Sequence, residues 1–201
     1  ASITSHILIF ILLANKMNIN IWEVIDAAKT KPYGFQAFYP GPGLGGHCIP
    51  LDPYYLSWKA REFGFHTSMI ESSMMINDRM PEYCAEKAMS NSKILVLGVA
   101  YKQDIDDYRE SPAIRVISEL EKLGANVVYY DPYISEYKEH GKIKVGETEL
   151  TTSLIKSADL IIITASHTNI DYDFVQSNAK IIFDTKNAMK NVVRRDNIEL
   201  L

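Results

Sequence analysis

"KILVLGVAY" (residues 93–101), "SPAIRVISELEKLGA" (111–125) and "NVVYYDPY" (126–133) follow one another in the second half of the chain. The first is a continuous apolar run of strand length. The second carries apolar residues at helical spacing and ends at Gly124, and the third is another β-branched and aromatic run. Strand, amphipathic helix and strand in that order make a βαβ unit, which requires a parallel sheet. "LTTSLIKSADLIIITAS" (150–166) and "YDFVQSNAKIIFDTKN" (172–187) each add a helix and a strand, so the predicted order is β-α-β-α-β-α-β. The expected class is α/β, with a Rossmann-like doubly wound parallel sheet over residues 92–201 and ligands gathering at the carboxyl ends of its strands.

Residues 1–91 read as a helical region with one irregular insertion. "ILIFILLANKMNINIWEVIDAAK" (7–29) has helical periodicity broken near "NIN" (18–20), and "TKPYGFQAFYPGPGLGGHCIPLDP" (30–53) is a loop rich in Gly, Pro and aromatic residues. Helix is expected to resume after Pro53, with "FGFH" (63–66) separating two helical pieces. The second piece carries Met69, Met74 and Met75, residues of a core or a subunit interface. The boundary between the two regions is placed near Ser90 to Ser92.

With 201 residues, of which 47% are hydrophobic, the chain can bury a sizeable core. The net charge of -4 and the lack of a Lys/Arg cluster exclude a nucleic-acid partner. The run Ile7 to Ala14 is far shorter than the roughly 20 residues of a membrane-spanning helix. It reads as a buried helix, with a signal remnant as the alternative, and no membrane partner is expected. Two cysteines, Cys48 and Cys84, are too few for a disulfide framework, so a reducing, cytoplasmic location is expected. Cys84 reads as a small buried hydrophobe.

"GPGLGGHC" (41–48) contains G-x-G-x-x-G, but no strand leads into it, and Pro50 and Pro53 stand where a helix should open. It is therefore not a dinucleotide turn. Cys48 is either a nucleophile, with Asp52 four residues on to accept a proton, or a gap-filler beneath a glycine turn. His47, Cys48 and His66 lack metal-ligand spacing, and no metal is expected. His6, His140 and His167 read as surface or satisfied core residues. In "GVAYKQDIDDYRESPAIRV" (98–116), Lys102, Arg109 and Ser111 at a strand's carboxyl end suit phosphate. The alternative is a set of surface ion pairs with Asp104, Asp106 and Asp107.

Taken together, "TKPYGFQAFYPGPGLGGHCIPLDPYYLSWKAREFG" (30–64), "LGVAYKQDIDDYRESPAIRV" (97–116) and "YYDPY" (129–133) resemble the nucleotide-sugar 6-dehydrogenases of the UDP-glucose/GDP-mannose dehydrogenase family. The resemblance runs from about Asn18 to Lys190 and is strongest to the branch that oxidises UDP-N-acetylhexosamines such as UDP-N-acetylglucosamine. It implies a central helical dimerisation region over residues 1–91 and a UDP-binding domain over 92–201. It also implies a four-electron oxidation of the sugar C6 alcohol to a carboxylate through a cysteine thiohemiacetal and thioester, with NAD as oxidant, for surface polysaccharide precursors.

By the same resemblance Cys48 is the nucleophile and Asp52 assists proton transfer. Gly43, Gly45 and Gly46 let backbone approach the sugar, which Phe38 and Tyr39 wall. Tyr101, Lys102 and Lys186 bind substrate, and Arg109 reaches NAD. Asp131, in the "YDP" motif, is given a structural role. Two further expectations are a UDP-N-acetylhexosamine substrate and a homodimer.

Four departures accompany the resemblance. No strand is followed by the glycine triad, so the NAD domain is expected to be absent from this chain. The family's upstream catalytic lysine and asparagine have no counterpart in "ASITSHILIFILLANKM" (1–17). The join "EKAMSNSKILVLG" (86–98) is short, and Lys186 stands where some relatives carry arginine. The chain is accordingly expected to be inactive alone, as the C-terminal part of a dehydrogenase. The alternative is a non-catalytic nucleotide-sugar-binding or dimerisation module.

Overall fold

A computed structural model describes residues 2–88 and 92–201, with side chains in the first helix described from residue 7. The expected boundary at Ser90 and the short join through Met89–Asn91 lie outside the described residues, as does the His6 side chain. Helix α1 spans Ser2–Lys16 and α2 spans Ile21–Ala28. The break between them is capped by Asn20, whose side chain accepts from the Trp22 amide at 3.0 Å. Helix α1 is not buried all round. Leu8 and Ile11 face the core, whereas Ile9, Phe10 and Leu13 lie on the surface, so the apolar run covers more of the helix than the core uses.

Helix α3 spans Cys48–Arg61 and α4 spans Ser68–Lys87. Helix α3 begins before its prolines rather than after Pro53, with the Leu51 amide already bonded to the His47 carbonyl at 3.1 Å. Pro50 is tolerated because first-turn amides have no intrahelical acceptor, and Pro53 forfeits one bond.

Strand β1 spans Lys93–Leu97, and α5 spans Pro112–Lys122 with Ser111 as N-cap. Strand β2 follows at Asn126–Tyr130. After an excursion come α6 (Thr152–Ser157), β5 (Leu160–Ile163), α7 (Tyr172–Asn178), β6 (Ile182–Asp184) and β7 (Ile198–Leu200). The excursion is a hairpin of β3 (Glu136–Glu139) and β4 (Lys142–Val145). The sheet order is β2-β1-β5-β6-β7, parallel throughout. The expected α/β class and its four strands are present. Strand β7 and the hairpin were not expected from the sequence.

Strand β1 is apolar at every turn of the pleat because both faces are covered. Ile94 and Val96 pack with Val116, Ile117 and Leu120 of α5 and with Met80 and Cys84 of α4. Leu95 and Leu97 pack on the other face with Ile155 of α6 and Val175 of α7. The first cluster also takes in Leu8, Ile11, Trp22 and Ile25, so the helical region shares a core with the sheet.

Gly98, just past β1, has φ +87°, and a Cβ there would lie 2.6 Å from the Ala165 Cβ and 2.9 Å from the Ala165 amide. Gly98→Ala is expected to lower unfolding free energy by about 2–4 kcal/mol, combining left-handed strain with overpacking. Urea denaturation of the two proteins measures it, and equal midpoints would refute the close-approach argument.

Candidate functional site

The glycine loop before Cys48 is wedged between three surfaces. From α4, the buried Asn77 accepts the Leu44 amide at 2.8 Å through Oδ1. A Cβ on Gly45 would stand 2.7 Å from the Tyr101 Cβ and 2.9 Å from the Glu110 carbonyl, while Gly46, at φ +83°, lies under the Tyr101 ring. Gly43, at φ +129°, faces Pro112, and a Cβ on Gly41 would lie 2.6 Å from the Lys186 Nζ. The close approach these glycines permit is therefore to the chain's own Tyr101, Glu110, Pro112 and Lys186.

The wedge ends at Cys48, the exposed first residue of α3, at the positive end of a 14-residue helix. Asp52 follows one turn later on the same side and is also exposed. Beside them, Arg109 folds back on Asp107 in a two-pronged pair, Nε to Oδ1 at 2.9 Å and Nη2 to Oδ2 at 2.7 Å. Hydrogen bonds from the Arg109 side chain and amide hold the Asp107 carboxyl down to about 2, with a smaller contribution from His47. Arg109 thus makes one of the ion pairs the sequence allowed, with Asp107. Lys102 is exposed and has no ion pair or hydrogen bond among the described residues.

A cavity of about 700 Å³ opens where the strand order reverses between β1 and β5. Crevices of this kind hold ligands in doubly wound sheets. It is lined by Trp22 and Lys29 of α2, Tyr39 of the loop, Gln103 after β1, His167 after β5 and Lys186 after β6. The turn that presents Lys186 is built on Asp184, fully buried, whose carboxylate accepts the amides of Lys186, Ala188 and Met189 at 2.9–3.1 Å. Burial pushes the Asp184 carboxyl up, and those three amides offset it only in part. Burial pushes the Lys186 ammonium down, with Cys84 and Asp184 opposing more weakly.

Of the residues expected from the sequence, Tyr39 and Lys186 reach this cavity. Gly43, Gly45, Gly46 and Tyr101 meet on the adjoining face, just before Cys48, and Phe38 is half-buried. Asn77 and Asp184 are organising residues that sequence reading did not single out, Asn77 because it acts 33 residues away in the chain and Asp184 because it reads only as part of a strand; His167, expected as a surface or satisfied core residue, is buried and bonded on both sides of its ring.

Another hollow of about 570 Å³ lies between α3 and α4, but its polar groups are already paired with one another. Ser57 and Arg61 donate to Glu71, and Tyr54 to Asp78. No group of three or more His, Cys, Asp or Glu side chains among the described residues could hold a metal ion, and His66 pairs instead with Glu71 at 3.1 Å. No described helix is long and apolar enough to cross a membrane.

A parallel sheet with a lysine-lined crevice at its switch point, joined to a helical arm that carries an exposed cysteine, places the chain among doubly wound α/β proteins, whose ligands gather at such crevices. Residues 7–79 match the central domain of the UDP-glucose/GDP-mannose dehydrogenase family, and residues 95–191 match its UDP binding domain. The chain belongs to this family. It is 33% identical over 193 residues to the UDP-N-acetyl-D-mannosamine dehydrogenase of Methanocaldococcus jannaschii, covering 90% of this chain and 42% of the relative. It is 34% identical over 171 residues to the UDP-N-acetyl-D-glucosamine 6-dehydrogenase of Salmonella typhi, covering 78% of this chain and 38% of the relative. The solved UDP-D-ManNAc dehydrogenase of Pyrococcus horikoshii superposes with a TM-score of 0.80 at 30% identity, covering 98% of this chain and 47% of that one. The chain therefore spans less than half the length of these relatives.

The two cysteines have opposite accessibility, Cys48 exposed and Cys84 fully buried with its thiol pushed up to about 12 by burial. Native protein is expected to react rapidly with one equivalent of a thiol reagent and to take up a second only on denaturation. Mass mapping of the native adduct to Cys84 would contradict the placement of α4.

Proposed function

We propose that the chain is the substrate-binding and nucleophile-bearing portion of an NAD-dependent UDP-N-acetylhexosamine 6-dehydrogenase of the cytoplasm. The observation that carries this reading is the wedge, which packs Gly45 and Gly46, just before Cys48, against Tyr101, the neighbour in sequence of the exposed Lys102, while its other end, at Gly41, approaches Lys186. Lys102 and Lys186 supply cations for a diphosphate, and Tyr39 supplies a ring edge for the ligand in the crevice.

Cys48 adds through its thiolate to the C6 aldehyde. The positive end of α3 favours the negative charge that develops there. Asp52, one turn away, takes or returns the proton of the added oxygen and of the water that later cleaves the thioester. In such a reaction NAD accepts the hydrides, but this chain's residues do not form its cradle. Gly98 alone follows β1, and Arg109 is engaged by Asp107, so no step through NAD is assigned to them. Exposed Phe10, Leu13 and Met17 on and after α1 support self-association as a homodimer.

Calorimetric titration tests the reading. UDP is expected to bind, UDP-N-acetylglucosamine and UDP-N-acetylmannosamine at least as tightly, and NAD+ negligibly. Lys102→Ala is expected to weaken UDP about tenfold, as for loss of a charge-assisted bond, whereas Cys48→Ser leaves UDP affinity unchanged. Equal binding of UDP by wild type and Lys102→Ala would remove Lys102 from the site.

A further inference from the structure

His167 is fully buried, yet it is bonded on both sides of its ring. The Asp104 amide donates to Nδ1 at 2.9 Å, and an amide can only donate, so Nδ1 carries no proton. Nε2–H therefore donates to the Asp131 Oδ2 at 3.1 Å, which fixes a neutral ring in one tautomer. Asp131 is already satisfied by the backbone: Val99 and Ala100 donate to Oδ2, and Tyr133 and Ile134 to Oδ1. These four amides carry most of the tie between the sheet ends, and the Nε2–H bond adds a fifth donor to it. The other ring nitrogen holds Asp104, a non-glycine residue at φ +58° that needs outside support. Thr168, next to His167, completes it by donating its amide at 2.8 Å and its hydroxyl at 3.0 Å to the Asp104 carboxylate.

Asp104 is two residues beyond Lys102 and one beyond Gln103, which lines the switch-point cavity together with His167. We propose that His167 is a positioning residue of the nucleotide site, its unprotonated Nδ1 fixing the Lys102–Asp104 segment at the mouth of the cavity for a ligand diphosphate. This deepens the substrate-binding reading above and rests on it. The bond from Nε2 serves the fold, and the bond to Nδ1 serves the ligand.

Two substitutions separate the bonds. His167→Gln keeps a donor near the Nε2 position for Asp131 and loses the acceptor for Asp104, whereas His167→Asn keeps an acceptor near Nδ1 and loses the Asp131 bond. In His167→Gln the Asp104 amide is expected to exchange with deuterium at least about tenfold faster, while the amides of Val99, Ala100, Tyr133 and Ile134 stay protected. UDP affinity measured by calorimetry falls about tenfold with little change in melting temperature. His167→Asn is expected to melt lower yet bind UDP within about threefold of wild type.

Wild-type affinity in His167→Gln, or equal loss in both variants in step with their melting temperatures, overturns the positioning role. Failure of the wild type itself to bind UDP overturns the nucleotide reading, and with it the role assigned to Lys102. In that case the Asp104 exchange rate in His167→Gln alone decides whether His167 holds the segment, and an unchanged rate defeats that claim as well.

Discussion

The structure depends on a stretch of backbone that carries almost no side chains. Between Pro40 and His47 the chain passes through a gap too narrow for a Cβ at Gly45, closed by Tyr101 and the Glu110 carbonyl, while at Gly41 the movable end of Lys186 lies close. One polar bond, from Leu44 to Asn77, pins the passage to α4. Because Gly45 and Gly46 pack on Tyr101 and Glu110, the start of α3 is held close to the β1–α5 loop by the protein's own packing. A side chain at Gly45 would push against a backbone carbonyl, which cannot rotate away, so the whole approach of α3 to the sheet would have to open.

Two buried carboxylates do for the carboxyl edge of the sheet what the glycines do for the loop. Asp131 ends β2 and Asp184 ends β6, and each accepts several backbone amides from the turn that follows. A desolvated carboxylate is costly unless every lone pair is used, and the two sites answer this differently. Burial tends to raise the Asp131 carboxyl, but the His167 bond and the Tyr133 and Ala100 amides outweigh it and the net shift is downward. Asp184 lacks a side-chain donor among its partners, and burial wins. The turn that is anchored by the better-compensated carboxylate is the one beside the β1–α5 loop.

Much of this was legible from the sequence because periodicity reports burial directly. The run from Ile94 to Leu97 has no polar position, which is what a strand covered on both faces requires, and Ser111-Pro112 and Gly124 mark the ends of α5 as caps do. The β3–β4 hairpin escaped because its strands are short and mostly polar. Its signal was the His140-Gly141 pair, both at positive φ, between two four-residue segments. The start of α3 escaped because two prolines read as a loop, although a first turn tolerates them. At the site, Cys48, Asp52 and Lys102 could be picked out by residue type, and Tyr101 and Lys186 by resemblance. The roles of Asn77 and His167 could not, since they hold amides 33 and 63 residues away in ways that no local pattern encodes, and Asp184, which holds amides within five residues, reads only as part of its strand.

The hairpin also bears on what happens when many copies of this chain meet. Strand β2 is the outermost strand of a flat-edged parallel sheet, and an unguarded edge invites a strand from another molecule. Beyond β4 the chain turns back so that the Glu147 amide bonds the Tyr129 carbonyl at 2.8 Å, while the Tyr129 hydroxyl reaches the Lys144 carbonyl and its ring fills the space beside Gly146. One carbonyl on the outer edge of β2 is thus already taken by the molecule's own backbone, and the hairpin beside it carries lysines. An excursion that adds nothing to the crevice works as a guard against edge-to-edge aggregation.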